Sequence, residues 1–153
     1  MKRAAITGHT TGLGNSWYRL LAEHNYEVHG FSRTTGYDLR DYLQVSNMLE
    51  KIKDFDLFIN NAKPDYSQSQ ILYRLVRSWV RGGTVVSISS QAVKRNPGWT
   101  DTFLLEYLTQ KVALDHAHQV LESVSPCSLI LLHPAHLTDT DNYVSQSIKD
   151  LNL

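Results

Sequence analysis

Cysteine is nearly absent. Cys127 is the only one in 153 residues, which excludes an internal disulfide and fits a reducing compartment. Charge of one sign is not in excess either: fifteen basic residues offset fifteen acidic ones, so the balance argues against nucleic acid or a membrane surface as partner. No apolar run approaches the roughly 20 residues that span a bilayer. The N-terminus enters a strand-like run at once, which leaves no room for a signal peptide. Internal repeats, low-complexity segments and linkers are also missing, so no domain boundary is expected. With 42% apolar residues the expectation is one globular domain over residues 1–153, soluble and cytoplasmic.

Glycine is sparse but concentrated where it counts. Residues 7 to 14 read Thr-Gly-His-Thr-Thr-Gly-Leu-Gly, directly after the apolar stub Ala4-Ala5-Ile6 and before a helix-like run. Gly8 lets the backbone turn tightly off the strand, Gly12 removes a Cβ that would block a pyrophosphate, and Gly14 lets the next helix approach closely. The N–H groups of that helix start, from Thr10 and Thr11 through Leu13, would then face an anion. The spacing is the loose G-x-x-x-G-x-G. Its place between strand and helix marks it as a nucleotide turn.

Strand-like and helix-like patterns alternate along the whole chain, the signature of a doubly wound parallel α/β sheet. Strands are expected at 3–7, 26–31, 56–59, 84–89 and 128–132, with a further very short one near Tyr37-Asp38-Leu39. Helices are expected at 13–24, 43–53, 67–80 (stopped by Gly82-Gly83) and 102–123, and the tail from Asp141 offers one more short helix. The long helix carries two apolar stripes, Leu104, Leu108 and Val112 on one, and Ala113, Ala117, Val120 and Leu121 on the other. Ligands of such a sheet bind at the C-terminal ends of its strands.

The chemistry-bearing residues fall at those ends. Asn60-Asn61-Ala62 closes one strand and Ser89-Ser90 the next, while Tyr107 and Lys111, four apart on a helix, share a face. A free tyrosine hydroxyl titrates near 10, and a neighbouring ammonium favours its phenolate, which would let Tyr107 serve as general acid or base. A serine hydroxyl opposite can hold a carbonyl or alcohol oxygen. The second strand ends Phe31-Ser32-Arg33-Thr34 without an acid, and the guanidinium suits a phosphate; a solvated surface arginine is the plain alternative. His133 and His136 flank Pro134, but two histidines without a third ligand suggest no metal.

In order, Thr7-Gly-x-x-x-Gly-x-Gly14, Asn60-Asn61-Ala62, Ser90 and Tyr107-x-x-x-Lys111 resemble the short-chain dehydrogenase/reductase family over about residues 3–140. The compact form and its Phe31-Ser32-Arg33…Gly36-Tyr37-Asp38 stretch resemble reductase-like proteins of phage and marine microbial sequences. The resemblance implies a Rossmann fold in reduced form, lacking the last strand and helix, and a nicotinamide dinucleotide that exchanges hydride with a small carbonyl or alcohol substrate. Tyr107 would move the proton, Ser90 (or Ser89, one position earlier) would orient the substrate oxygen, and Lys111 would hold the nicotinamide ribose. Asp38 and Leu39 resemble the adenine-contacting pair, and Asn60, Asn61 and Ala62 would line the ribose, with Pro134 on the nicotinamide side. Ser32 and Arg33 favour NADP(H), with NAD(H) as the alternative. The family pairs through the two helices near 67–80 and 102–123, so a homodimer or homotetramer is expected.

The sequence also departs from the pattern. The family's asparagine on the helix after Asn-Asn-Ala has no counterpart between Asp65 and Arg81; Gln68 or Gln70 is left to substitute, or a water relay is lost. Lys63 stands where a glycine is usual, Pro134-Ala135 replaces Pro-Gly, and Lys94–Gly98 reads as an inserted loop. These departures keep open a dinucleotide-binding sensor without turnover. A nucleotide-sugar reductase or epimerase is the third reading, although the larger substrate domain it needs is missing.

Overall fold

Parallel strands buried on both faces should read as continuous apolar runs, and the strands here do. The computed structural model describes residues 1–79, 81–94 and 98–153. Its elements in chain order are β1 (Lys2–Thr7), α1 (Gly12–Glu23), β2 (Tyr26–Phe31), α2 (Tyr42–Ile52), β3 (Leu57–Asn60), α3 (Ser67–Ser78), β4 (Thr84–Ile88), α4 (Thr102–Leu121), β5 (Ser128–Leu132) and α5 (Thr140–Asp150), with 3₁₀ turns at Arg33–Thr35 and Gln91–Lys94. The five strands form one parallel sheet in the order β2-β1-β3-β4-β5. This is the doubly wound α/β arrangement expected, with the chain reversing direction across the sheet between β1 and β3.

Alternate residues serve opposite faces. Ala4, Ile6, Leu57, Ile59, Val86 and Ile88 pack against Trp17 and Leu21 of α1 and Val144 and Ile148 of α5. Ala5, Phe58 and Val85 face the other way, onto α2, α3 and α4. Asp41, Asp101 and Asp139 cap α2, α4 and α5 by accepting bonds from backbone N–H groups of the first turn, each such cap contributing about 1 kcal/mol. α5 is tied to α1 by the Ser16 hydroxyl, which donates to Asp141 Oδ1 at 2.5 Å, and by the Arg19–Asp141 pair at 2.6 Å.

Three expectations need correction. No strand forms at Tyr37-Asp38-Leu39. The backbone there bonds locally, Tyr37 N–H to the Ser32 carbonyl and Asp38 N–H to Gln44 Oε1, while Leu39 sinks into the core. The third helix stops at Ser78, before the glycine pair, because Trp79 turns its ring inward and donates Nε1–H to the Ile52 carbonyl at 2.8 Å. Val80 lies outside the described residues, as do positions 95–97 of the expected inserted loop. On α4 the buried face is Lys111, Leu114, Ala117, His118 and Leu121, whereas Leu104, Val112 and Val120 are exposed. Of the expected apolar stripes only Ala117 and Leu121 are on the buried face, whose other members include the polar Lys111 and His118.

Candidate active site

The turn between β1 and α1 is held by the end of β3. Asn61 N–H and Ala62 N–H both donate to the Thr7 hydroxyl at 3.0 Å, and Asn61 Nδ2 donates to the Thr7 and Gly8 carbonyls. Gly8 has φ +69, which only glycine adopts freely, and a Cβ on Gly14 would lie 2.0 Å from the Gly8 carbonyl oxygen. A Cβ on Gly12 would meet nothing. Thr11 at the N-cap makes no side-chain bond to the helix, so the first N–H groups of α1 carry no side-chain acceptor.

Two cavities open along this edge and meet at Gly8 and Ala62. The larger, about 860 Å³, runs from Thr11, Leu13 and Gly14 past Asn61 and Ala62 to Ser89, Ser90, Tyr107, Lys111 and Pro134. The smaller, about 300 Å³, lies at the end of β2 and takes in Thr10, Ser32, Arg33, Asp38 and Leu39. Of the seventeen expected site residues, fifteen line one or both cavities and two line neither: Gly12 and Asn60. Asn60 is fully buried behind the wall, where its Nδ2 donates to the Gln68 carbonyl at 3.0 Å and to Ser87 Oγ at 3.2 Å. It knits β3 to its neighbours instead of facing a ribose.

In the larger cleft Lys111 is 3% exposed, and its Nζ donates to Gln68 Oε1 at 2.7 Å and the Ile88 carbonyl at 2.6 Å. Burial pushes this amine down to about 7; the Lys63 ammonium pushes in the same direction and Asp115 partly opposes both. Tyr107, one turn earlier, has the Lys63 ammonium 4.4 Å from its ring centroid and that of Lys111 at 5.7 Å. Ser89 donates to Asp115 Oδ1 at 2.5 Å, and the other carboxylate oxygen meets His133 Nε2 at 2.6 Å. Among the described residues the Ser90 hydroxyl accepts from Ala92 N–H at 3.2 Å, and its own proton can be donated into the cleft. Of the two serines, Ser90 is therefore the one equipped to hold a substrate oxygen. Near the half-buried Asp115, His118 is pushed down to about 4, mainly by burial, with His133 adding to it and Asp115 opposing.

Some of the wall escaped the sequence reading. Gln91, Trp99 and Leu137 line the larger cleft, as does His136. Gln70 is exposed, while Gln68 is buried against Lys111; nothing local distinguishes the two. At the β2 end Arg40 joins the smaller cavity and pairs with Asp65 at 2.9 Å. Its neighbours Asp38 and Leu39 were the signal that could have found it.

No family model and no curated protein matches the sequence. Solved structures do. An alcohol dehydrogenase from Thermococcus sibiricus complexed with 5-hydroxy-NADP aligns with TM-score 0.80 and 16% identity over 100% of this chain and 91% of that one. The chain has the short-chain dehydrogenase/reductase fold. Two others with this fold are a short-chain dehydrogenase/reductase from Brucella ovis (TM-score 0.78, 18% identity, 95% and 91% covered) and a carbonyl reductase from Pseudomonas aeruginosa in complex with NADP (0.76, 18%, 99% and 91%). In this fold the C-terminal edge of the sheet is the ligand edge, which is where both cavities lie. Among the described residues no helix is long and apolar enough to cross a membrane.

Proposed function

We propose that the chain belongs to the short-chain dehydrogenase/reductase family and is an oxidoreductase that uses NADP(H), with NAD(H) as a weaker alternative, on a small carbonyl or alcohol. The observation that carries this reading is convergence: Ser90, Tyr107 and Lys111 share one cleft with the uncapped start of α1. The residues present fit a dinucleotide. The N–H groups of α1 and the open space at Gly12 suit a pyrophosphate, and Asn61 and Ala62 lead from there to Lys111. Arg33 is exposed just after β2, where the run Phe31–Thr34 carries no acid, and it suits a 2′-phosphate. The Thermococcus and Pseudomonas structures, bound to 5-hydroxy-NADP and NADP, support the same choice.

When bound, the nicotinamide supplies or accepts a hydride. The chain's own residues handle the rest. Ser90 donates a hydrogen bond to the substrate oxygen and fixes it beside Tyr107. In reduction the Tyr107 hydroxyl gives its proton to that oxygen, and in oxidation the tyrosine takes it back. Lys111, anchored through two of its three donors, has the third left for a ribose hydroxyl. We also propose a homodimer or homotetramer built on α3 and α4, because Leu104 and Val112 leave an apolar stripe of α4 on the outside.

The test is titration of the protein with NADPH and NADH, followed by turnover on a panel of small aldehydes and ketones. NADPH oxidation is expected, with Tyr107→Phe lowering kcat at least about a hundredfold and leaving NADPH affinity unchanged. Binding without Tyr107-dependent oxidation would support a dinucleotide sensor instead. Failure to bind either dinucleotide would sink both readings.

A further inference from the structure

Gln68 has every polar atom of its side chain committed. It sits in the first turn of α3, 5% exposed. Its Nε2 donates to the Asn60 carbonyl at 2.7 Å and to the Ile88 carbonyl at 3.0 Å, and its Oε1 accepts from Lys111 Nζ at 2.7 Å. The orientation is unique. An amide nitrogen only donates and an amide oxygen only accepts, so a flipped side chain would set oxygen against two carbonyls and nitrogen against the amine. Asn60 Nδ2 donates back to the Gln68 backbone carbonyl, and the Ile88 carbonyl is shared by Gln68 and Lys111. The ends of β3 and β4, the start of α3 and the middle of α4 are thereby linked through one side chain.

We propose that Gln68 is a positioning residue for this site: its amide oxygen places the Lys111 amine in the cleft and keeps the acceptors around that amine uncharged. A lysine meant to remain a fixed cation is usually set against a carboxylate. Here both acceptors are neutral, one amide and one backbone carbonyl. The charged and titratable groups around the amine are few. Lys63 from the β3–α3 loop repels its proton, and Asp115 on α4 attracts it but is already bonded to Ser89 and His133. Tyr107 offers its ring face from the same helix. Burial and the Lys63 ammonium bring Lys111 to exchange a proton close to neutrality, and Gln68 holds the amine at that place with a neutral acceptor. This placement deepens the oxidoreductase reading of the same cleft, but it is a property of the protein alone and can be tested without cofactor or substrate.

The experiment is a pH titration of the protein labelled with ¹³Cε-lysine, the Lys111 signal being assigned by its loss in Lys111→Met. A midpoint near 7 is expected for the parent chain. In Gln68→Glu a carboxylate replaces the amide oxygen, and the midpoint should rise by about one pH unit or more, a tenfold gain in proton affinity. Gln68→Met keeps the length and removes the acceptor, and it should move the midpoint by about half a unit or more. A parent midpoint in the ordinary lysine range near 10.4 would overturn the proposal. So would an unmoved midpoint in folded Gln68→Glu or, should that variant not fold, in Gln68→Met. Absence of NADPH binding would count against the oxidoreductase reading alone and leave these titrations to decide the role of Gln68.

Discussion

The two ends of the ligand edge are built in different ways. Around Lys111 the bonds join residues 20 to 43 positions apart and are buried. Around Arg33 the turn's own bonds join residues two to six apart, Ser32 to Thr35, Arg40 to Asp38 and Asp38 to Gln44, and the longer link, Arg40 to Asp65, is an exposed ion pair. The first end is part of the fold's own stability, because each buried group there depends on partners from other elements. The second is a local turn laid on the edge of β2. Chemistry at the Lys111 end is therefore costly to alter, while recognition at the Arg33 end can change with little effect on folding.

The harshest way to break this contrast is at the turn both ends share. Gly14→Ala would put a Cβ 2.0 Å from the Gly8 carbonyl oxygen and 2.6 Å from Asn61 Nδ2, and neither the backbone nor the amide can yield far. Overpacking of this kind costs about 3 kcal/mol, and urea unfolding should show it together with loss of dinucleotide binding. A Gly14→Ala protein of unchanged stability would mean that the turn is looser than its contacts imply.

Acid offers a second route, confined to the buried end. The His118 imidazole is neutral in the fold down to about 4, whereas in the unfolded chain it gains its proton near 6.5. Between those values the unfolded state binds more protons, so stability falls as the pH drops through this window and is fully present above it. The loss reaches about 3 kcal/mol. His118→Leu should flatten that decline, read as the urea midpoint at pH 4.5 against pH 7. Equal slopes in variant and parent would refute the assignment.

At the other end the effects concern ligands, not folding. Arg33→Gln should weaken NADPH binding about tenfold, as expected for loss of a charge-assisted bond, leave NADH binding unchanged and shift Tm by no more than about a degree. A parallel loss of NADH affinity would show that Arg33 does not read the 2′-phosphate. The smallest change belongs to Asp65→Asn. Its ion pair with Arg40 is exposed on both sides, so removal should cost less than about 1 kcal/mol. Asparagine also tolerates the left-handed backbone at this position, φ +51. A larger loss in thermal unfolding would mean that the β2 end is as firmly built as the other.

The same difference governs what could be read from the residues alone. Five of the strands, the helices, the glycine turn and the pair Tyr107 and Lys111 are local patterns, and they appear near where periodicity and spacing put them. Asn60 looks identical to Asn61 in sequence, yet one is a buried cross-link and the other a wall of the cleft. Gln68 and Gln70 are equally alike, and only the packing of α3 against α4 separates them. The strand expected near Tyr37-Asp38-Leu39 does not form because Leu39, with Tyr37 packed beside it, plugs the core while the backbone bonds locally. The inner face of α4 is only partly legible, through Ala117 and Leu121, because its lysine and histidine lower its hydropathy. In each case the deciding partner lies many residues away.

The docking of α5 on α1 has a consequence for handling the molecule. Val144 and Ile148 cover the sheet face formed by Ile6, Leu57 and Val86, and the Ser16–Asp141–Arg19 contacts hold the helix there. A chain cut before Thr140 would leave Trp17 and Leu21 beside a bare apolar strip. Such a fragment should aggregate at working concentrations even with Ser90, Tyr107 and Lys111 all present, so expression boundaries need to retain the final helix.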